Sequence, residues 1–197
     1  MMPLVLASAS TSRARLLRAA AVSFEVIVPD VDEEAEKIAA GRSGSAPYEI
    51  ACRLASTKAS QVSSSRPRRH VLGADQVLEL DGEIISKCGT TADAAALLLR
   101  LRGRAHELVT AAVLMVGQTV MWRHVERCQL FMREFSDAFL ADYLSDAPSA
   151  LDCVGCYQLE GPGVQLFERI HGDYFSVLGL PLVPLLAALR AHGLVRT

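Results

Sequence analysis

Two long apolar-rich runs, residues 106–116 and 119–132, stand back to back with only Gly117-Gln118 between them. Runs of that length on either side of a two-residue break predict two long strands joined by a tight turn. They commit the middle of the chain to a hairpin-built sheet. The earlier sequence has a different rhythm. Residues 3–7 read as a short buried strand that runs into Ser8-Ala9-Ser10-Thr11-Ser12, and a helix follows with Leu16, Leu17 and Ala20 on its apolar side. Residues 24–28 predict a second strand. The acidic residues Asp30, Asp32, Glu33, Glu34 and Glu36 then lead into a polar loop at 41–45, and Pro47 opens a helix carrying Ile50, Leu54 and Lys58.

Residues 71–74 and 77–80 are strand-like on either side of Asp75, and Asp81-Gly82 before Ile84 is a hairpin signal. Thr90 or Thr91 caps a helix through Leu101 that Gly103 stops, and Ser136 caps a short helix containing Phe139, Leu140 and Tyr143. Residues 164–170 predict a strand with a turn at His171-Gly172, and Pro184 opens a last helix ended by Gly193. Alternating strands and helices early, with hairpins in the middle, predict an α/β fold on a mixed sheet. There is no internal repeat or linker, so 197 residues suit one globular unit, or two small lobes sharing a core, over the whole chain.

Composition excludes several classes. Hydrophobic residues at 51% against 21% charged indicate a folded chain without a long disordered tail. A net charge of −2 supplies no global field for nucleic acid or an acidic membrane, so any phosphate chemistry rests on a local cluster of cations. The most apolar stretch, residues 108–122, is broken by Thr110, Gly117 and Gln118 and falls short of the ~20 residues that span a bilayer. The apolar stretch 4–7 is too short for a signal peptide and lacks a basic region before it. Five cysteines (Cys52, Cys88, Cys128, Cys153 and Cys156) form no regular framework, and a reduced cytoplasmic location is expected. Cys153 and Cys156 have the spacing of a redox or zinc knuckle, yet without a second pair or a histidine pair they read as plain buried thiols.

Three groups of residues could carry chemistry. The turn from Ser8 to Arg13 brings hydroxyls and backbone N–H groups to a helix start, where an anion is favoured, and Arg13 adds a planar cation suited to phosphate oxygens. Taken alone, the turn fits an ordinary capped helix with a solvated arginine better. Asp75 in Gly73-Ala74-Asp75-Gln76 leaves an apolar strand, where a carboxylate is costly unless it meets a metal, a cation or a donor. It could activate water or hold Mg²⁺, or equally satisfy local backbone donors. Lys58 and Lys87 lie on otherwise apolar elements and could screen a polyphosphate, although single lysines are usually solvated. Glu33 sits in an acidic run, and such runs are usually solvated faces.

The order of these segments resembles the Maf family of nucleotide pyrophosphatases. Leu6-Ala7-Ser8-Ala9-Ser10 resembles that family's opening motif, Asp32-Glu33 its acidic motif, and Leu54-Ala55-Ser56-Thr57-Lys58-Ala59 its lysine helix. Gly73-Ala74-Asp75-Gln76-Val77 resembles the catalytic strand, Ser86-Lys87-Cys88 the Gly-Lys-Pro motif, and Gly155-Cys156-Tyr157-Gln158-Leu159-Glu160-Gly161 the late glycine motif. The stretch from Gly172 to Pro181 is similar to the terminal signature, so the likeness spans nearly the whole chain.

The resemblance implies an elongated mixed sheet flanked by helices, in two lobes with a cleft between them. It implies hydrolysis of a nucleoside triphosphate between the α and β phosphates, to a monophosphate and pyrophosphate, with a divalent cation (Mg²⁺ or Mn²⁺). Carried over by position, Asp75 would accept the proton of the attacking water. Arg13, Lys58 and Lys87 would stabilise phosphates, Ser8 would add a hydroxyl or backbone contact, and Glu33 would help hold the metal. Family members commonly pair as homodimers, which is the expectation here too.

The departures from the family pattern fall where the base is chosen. Ser12 stands where many members carry the first of two arginines, and Ser86 and Cys88 replace a glycine and a proline around Lys87. Gln76 and Glu160 stand where pyrimidine-selective members carry threonine and glutamine. That pair resembles the subgroup acting on 7-methyl-GTP, although members of that subgroup tend to have an aromatic at the position of Ser12. A carboxylate accepts from the N1–H and exocyclic amine of guanine, whereas uracil and thymine set one N–H between two carbonyls. Against 7-methyl-GTP stand dTTP or UTP as substrates, a hydrolase of the ITP pyrophosphatase type, and a nucleotide-binding regulator of cell division.

Overall fold

The computed structural model describes residues 3–42 and 44–196. Its frame begins with β1 (Leu4–Ala7), α1 (Thr11–Ala19) and β2 (Phe24–Val26), then α2 (Glu33–Arg42), α3 (Pro47–Ser65) and β3 (His70–Leu80). β1 pairs in parallel with β2 on one side and with β3 on the other. A central parallel strand is covered on both faces, which is why Leu-Val-Leu-Ala is apolar throughout and wholly buried.

β4 (Glu83–Ile85) returns along β3 through a turn with Asp81 at φ 53° and Gly82 at φ 83°, the conformations a two-residue hairpin requires. α4 (Thr91–Leu101) follows, capped by Thr90, whose side chain accepts from the Asp93 N–H at 3.1 Å. β5 (Ala105–Val116) and β6 (Thr119–Met132) are the long hairpin expected at Gly117-Gln118. α5 (Asp137–Asp146), β7 (Phe167–His171), α6 (Tyr174–Val177) and α7 (Leu182–Ala191) complete the chain. The seven strands form one sheet in the order β2-β1-β3-β5-β6-β7, with β4 on β3. No helix among the described residues is long and apolar enough to cross a membrane.

Several boundaries differ from the expectations. The acidic stretch after β2 is helical: Asp32 Oδ1 accepts from the Ala35 N–H at 3.0 Å, and Glu33, Glu34 and Glu36 occupy the first turn, where the helix dipole favours anions. α2 runs to Arg42, into the stretch expected to be loop, where Ser43 lies outside the described residues. β3 is one continuous strand through Asp75 instead of two short ones. Residues 164–170 divide into a 3-10 turn, Pro162–Leu166, and β7; Pro162 opens the turn, where its missing N–H is not needed. The last helix opens at Leu182, with Pro184 in its first turn, where no N–H is needed.

The chain divides into two compact units with interleaved segments. The first takes residues up to Gln76, Thr110–Glu126 and residues from Asp173 onwards. Its core joins Leu4, Leu6, Leu72, Ala74, Ala112 and Leu114 of the sheet to Leu16 and Leu17 of α1 and Leu182, Leu185 and Leu189 of α7. Each leucine so buried contributes about 1.5–3 kcal/mol. The other face of β3 carries α3, in contact so close that a Cβ on Gly73 would lie 2.1 Å from the Ala55 carbonyl oxygen. The connection from β1 to β2 therefore covers one face and that from β2 to β3 the other. The chain changes direction between β1 and β3, and open parallel sheets bind ligands beyond the carboxyl ends of strands at such a point. The second unit, Val77–Val109 and Arg127–Gly172, buries Leu78, Leu80, Leu98, Leu101 and Leu108.

Candidate active site

Past the carboxyl end of β1 and beside the middle of β3, the first unit gathers five of the residues expected to do chemistry. Ala7 is in register with Gly73, so Ser8, just past β1, and Asp75, within β3, lie on neighbouring strands within two residues of that pair. Alternation along β3 sends Asp75 to the α3 face and Gln76 to the opposite one. On the α3 face Lys58 Nζ lies 2.5 Å from Asp75 Oδ1 and 2.7 Å from Glu33 Oε1. Lys58 and Asp75 are 4% and 3% exposed, so these charges have almost no water to screen them. Asp75 Oδ2 is buried with no hydrogen-bond partner. A carboxylate oxygen in that condition costs free energy unless it meets a proton or a donor.

Arg13 comes from the first turn of α1, and the Ser10 hydroxyl accepts from its backbone N–H at 3.3 Å. Its guanidinium is buried: Nε donates to the Gly179 carbonyl at 2.8 Å and Nη1 to Ser8 Oγ at 3.1 Å. Burial pulls the Arg13 pKa down, while Asp75 and Glu33 push it back up. Ser8 Oγ also accepts from the Ser10 N–H at 3.2 Å, so the opening turn is an ordered frame and Arg13 is not a solvated side chain. The Gly179 carbonyl was not singled out in the sequence. Its signal is the glycine itself, which sits at φ 97° ahead of Leu180-Pro181.

Gln76 meets acceptors only. Its Nε2 donates to Thr110 Oγ1 at 2.8 Å and to the carbonyls of Ser176 and Val177 at 2.9 and 3.2 Å, and the Thr110 hydroxyl spends its own proton on the Ser176 carbonyl at 2.8 Å. Three acceptors around one nitrogen fix the amide orientation and leave Oε1 as the atom Gln76 can offer. Asp173 caps α6 by accepting from the Ser176 N–H at 2.7 Å, which holds those carbonyls in place.

Ser12 is half-buried in α1, on the same turn as Arg13. Lys87 and Glu160 belong to the second unit, Lys87 just past β4 and Glu160 in the loop before the Pro162–Leu166 turn, and both are exposed. Among the described residues no group of three or more His, Cys, Asp or Glu side chains is arranged to hold a metal. A divalent cation such as Mg²⁺ is ordinarily held by one or two carboxylates together with substrate phosphates, and the Asp75–Glu33 donor set is of that kind.

The family model described as "Maf-like protein" matches residues 3–192. The chain belongs to the Maf family. A Caulobacter vibrioides relative named "Nucleoside triphosphate pyrophosphatase" is 48% identical over 192 residues, covering 97% of this chain and 96% of the relative. One from Granulibacter bethesdensis with the same name is 47% identical, covering 97% and 98%. A Rhizobium etli relative named "7-methyl-GTP pyrophosphatase" is 43% identical over 193 residues, covering 98% and 97%. The Maf match takes in both units, so the cluster around Asp75 and the exposed Lys87 and Glu160 all fall inside it.

Proposed function

We propose that the chain is a nucleoside triphosphate pyrophosphatase that cuts the α–β phosphoanhydride, with Asp75 as its base. The observation that carries this reading is Asp75 Oδ2, buried and unpartnered beside a lysine that already holds Oδ1. A water oxygen attacks the α-phosphorus and gives its proton to Oδ2. The bond from the α-phosphorus to the bridging oxygen breaks, that oxygen takes the electron pair, and nucleoside monophosphate and pyrophosphate part. Displacement at phosphorus depends mostly on positioning and on stabilising charge, so buried cations are the main assets. Lys58 orients the base, Arg13 is fixed by Gly179 and Ser8 to face phosphate oxygens, and Lys87 adds a further cation. Glu33, with substrate phosphate oxygens, would hold a divalent cation (Mg²⁺ or Mn²⁺) that neutralises phosphate charge.

The preferred base is 7-methylguanine in this reading. Two features support it. Gln76 offers a carbonyl because its amide nitrogen is engaged three times over, and Glu160 is acceptor-only when ionised. Acceptors suit the N1–H and amino group of a guanine edge, and a carboxylate favours the positive charge that N7 methylation adds. The relative from Rhizobium etli bears that substrate in its name. The test is phosphate release with added inorganic pyrophosphatase across 7-methyl-GTP, dTTP, UTP and ITP. The highest kcat/KM for 7-methyl-GTP supports the reading; a preference for dTTP or UTP overturns the base assignment, and binding without turnover overturns the enzyme.

A further inference from the structure

Strand β5 carries one hydroxyl inside a run that is otherwise apolar. Every residue from Leu108 to Met115 is buried, and among them Thr110 alone has a polar side chain. A hydroxyl placed there costs free energy unless it is hydrogen-bonded. In the sequence Thr110 registers only as a break in the most apolar stretch. In the structure β5 lies beside β3, and Thr110 bonds to Gln76 and to the backbone of α6.

Chemistry fixes the direction of each bond. A hydroxyl has one proton to give and can otherwise accept, so alone it would suit either end of a glutamine amide. The Ser176 carbonyl can only accept, and it takes the Thr110 proton at 2.8 Å. Thr110 Oγ1 is thereby left as an acceptor, and at 2.8 Å it calls for the Gln76 nitrogen, not the oxygen. The carbonyls of Ser176 and Val177 make the same demand at 2.9 and 3.2 Å. Ser176 is itself held, because Asp173 Oδ2 accepts from both its N–H and its hydroxyl at 2.7 Å. Its carbonyl also accepts from the Gly179 N–H at 2.9 Å, so it stays satisfied without the threonine. The Gln76 amide does not share that reserve. Thr110 makes the shortest of its three contacts, and no other group on β5 would replace it as an acceptor side chain between Leu108 and Met115.

We propose that Thr110 is a positioning residue that sets base selectivity by fixing which end of the Gln76 amide faces the nucleotide. Its hydroxyl, committed by the Ser176 carbonyl, holds Nε2 inward and turns Oε1 towards the substrate as an acceptor. This assignment rests on the proposed reading of Gln76 as a residue that meets the base. A guanine edge presents two neighbouring donors, N1–H and the amino group, and a fixed acceptor suits either. Uracil sets one N–H between two carbonyls, which an amide free to turn meets as well as a fixed one. Loss of the hydroxyl therefore relaxes base selectivity, while Arg13 keeps its own bonds to Gly179 and Ser8.

The test compares Thr110→Val, which keeps the branched shape and deletes the hydroxyl, with Thr110→Ser, which keeps the hydroxyl. Calorimetry on the full chain measures binding of the α,β-methylene analogues of 7-methyl-GTP and UTP, which cannot be cut at that bridge, and of inorganic tripolyphosphate. In Thr110→Val the affinity ratio of the 7-methyl-GTP analogue to the UTP analogue should fall about 5- to 10-fold, the scale of one hydrogen bond. Thr110→Ser should restore the wild-type ratio, and tripolyphosphate affinity should be the same in all three proteins. An unchanged ratio in Thr110→Val, or an equal fall for both analogues and tripolyphosphate, would overturn the proposal. Where Thr110→Val does not fold, Thr110→Ala deletes the same hydroxyl and is read in the same way. A wild type that binds the UTP analogue more tightly would count against the base assignment alone, because Thr110 is judged on the change of ratio from wild type. Parent nucleotides that bind without turnover would count against the enzyme and leave that change readable.

Discussion

The ammonium of Lys58 lies 2.5 Å from Oδ1 of Asp75, with both side chains almost wholly shielded from water. Lys58 also holds Glu33, so removing it leaves two carboxylates facing one another without a cation at that point. Breaking a buried pair from one side typically costs about 3–5 kcal/mol. Lys58→Met should therefore lower the unfolding free energy from urea titration by that order and abolish turnover. The double variant Lys58→Met/Asp75→Leu should recover much of the stability and none of the activity.

Gly73→Ala tests the packing that places Asp75. The added methyl would collide with the backbone of α3, which cannot swing aside as a side chain would. Overpacking of this kind costs about 1–3 kcal/mol. A fall in thermal midpoint by calorimetry, with a lower kcat, is the expected outcome. Full stability in this variant would show that α3 is not seated on β3 at Gly73.

Stability should carry an imprint of His106. Its Nε2 pairs with the Tyr157 hydroxyl at 2.7 Å, and burial lowers its pKa from the ordinary 6.5 to about 4. Between those values the unfolded chain binds the proton and the folded one does not, so stability rises with pH across that window. The contribution is complete above about 6.5 and is lost as pH falls towards about 4, amounting to up to about 3 kcal/mol. Denaturant titrations should show this slope in the wild type, and it should flatten in His106→Gln. Parallel curves would remove His106 as the source.

Glu160→Gln should shift the ratio of kcat/KM towards pyrimidine nucleotides and leave stability within about 0.5 kcal/mol, since the side chain is exposed. The same nucleotide panel reads this out. An unchanged ratio would detach Glu160 from base choice.

Much of this was legible in the sequence, for reasons particular elements show. The long hairpin, the Asp81-Gly82 turn and the Thr90 and Ser136 caps were anticipated because each depends on local chemistry that spacing alone reveals. α2 was missed although its signal was present: an acidic first turn behind Asp32 reads as a solvated run until the cap is recognised. That omission hid why Glu33 reaches Lys58, since the first turn of α2 is what presents it. The grip of Gly179 on Arg13 and of Ser176 and Val177 on Gln76 could not be read, because these contacts join residues a hundred or more positions apart. Only tertiary packing brings such carbonyls to their donors.

The most direct measurement is steady-state hydrolysis by Asp75→Asn across the nucleotide panel, with the fold checked by circular dichroism. The amide keeps the shape and can still face Lys58, but it cannot take the proton of an attacking water. A loss in kcat of about 10²–10⁴-fold or more, in a folded protein that still binds nucleotide, is what the account predicts. Near-normal turnover in that variant would contradict it.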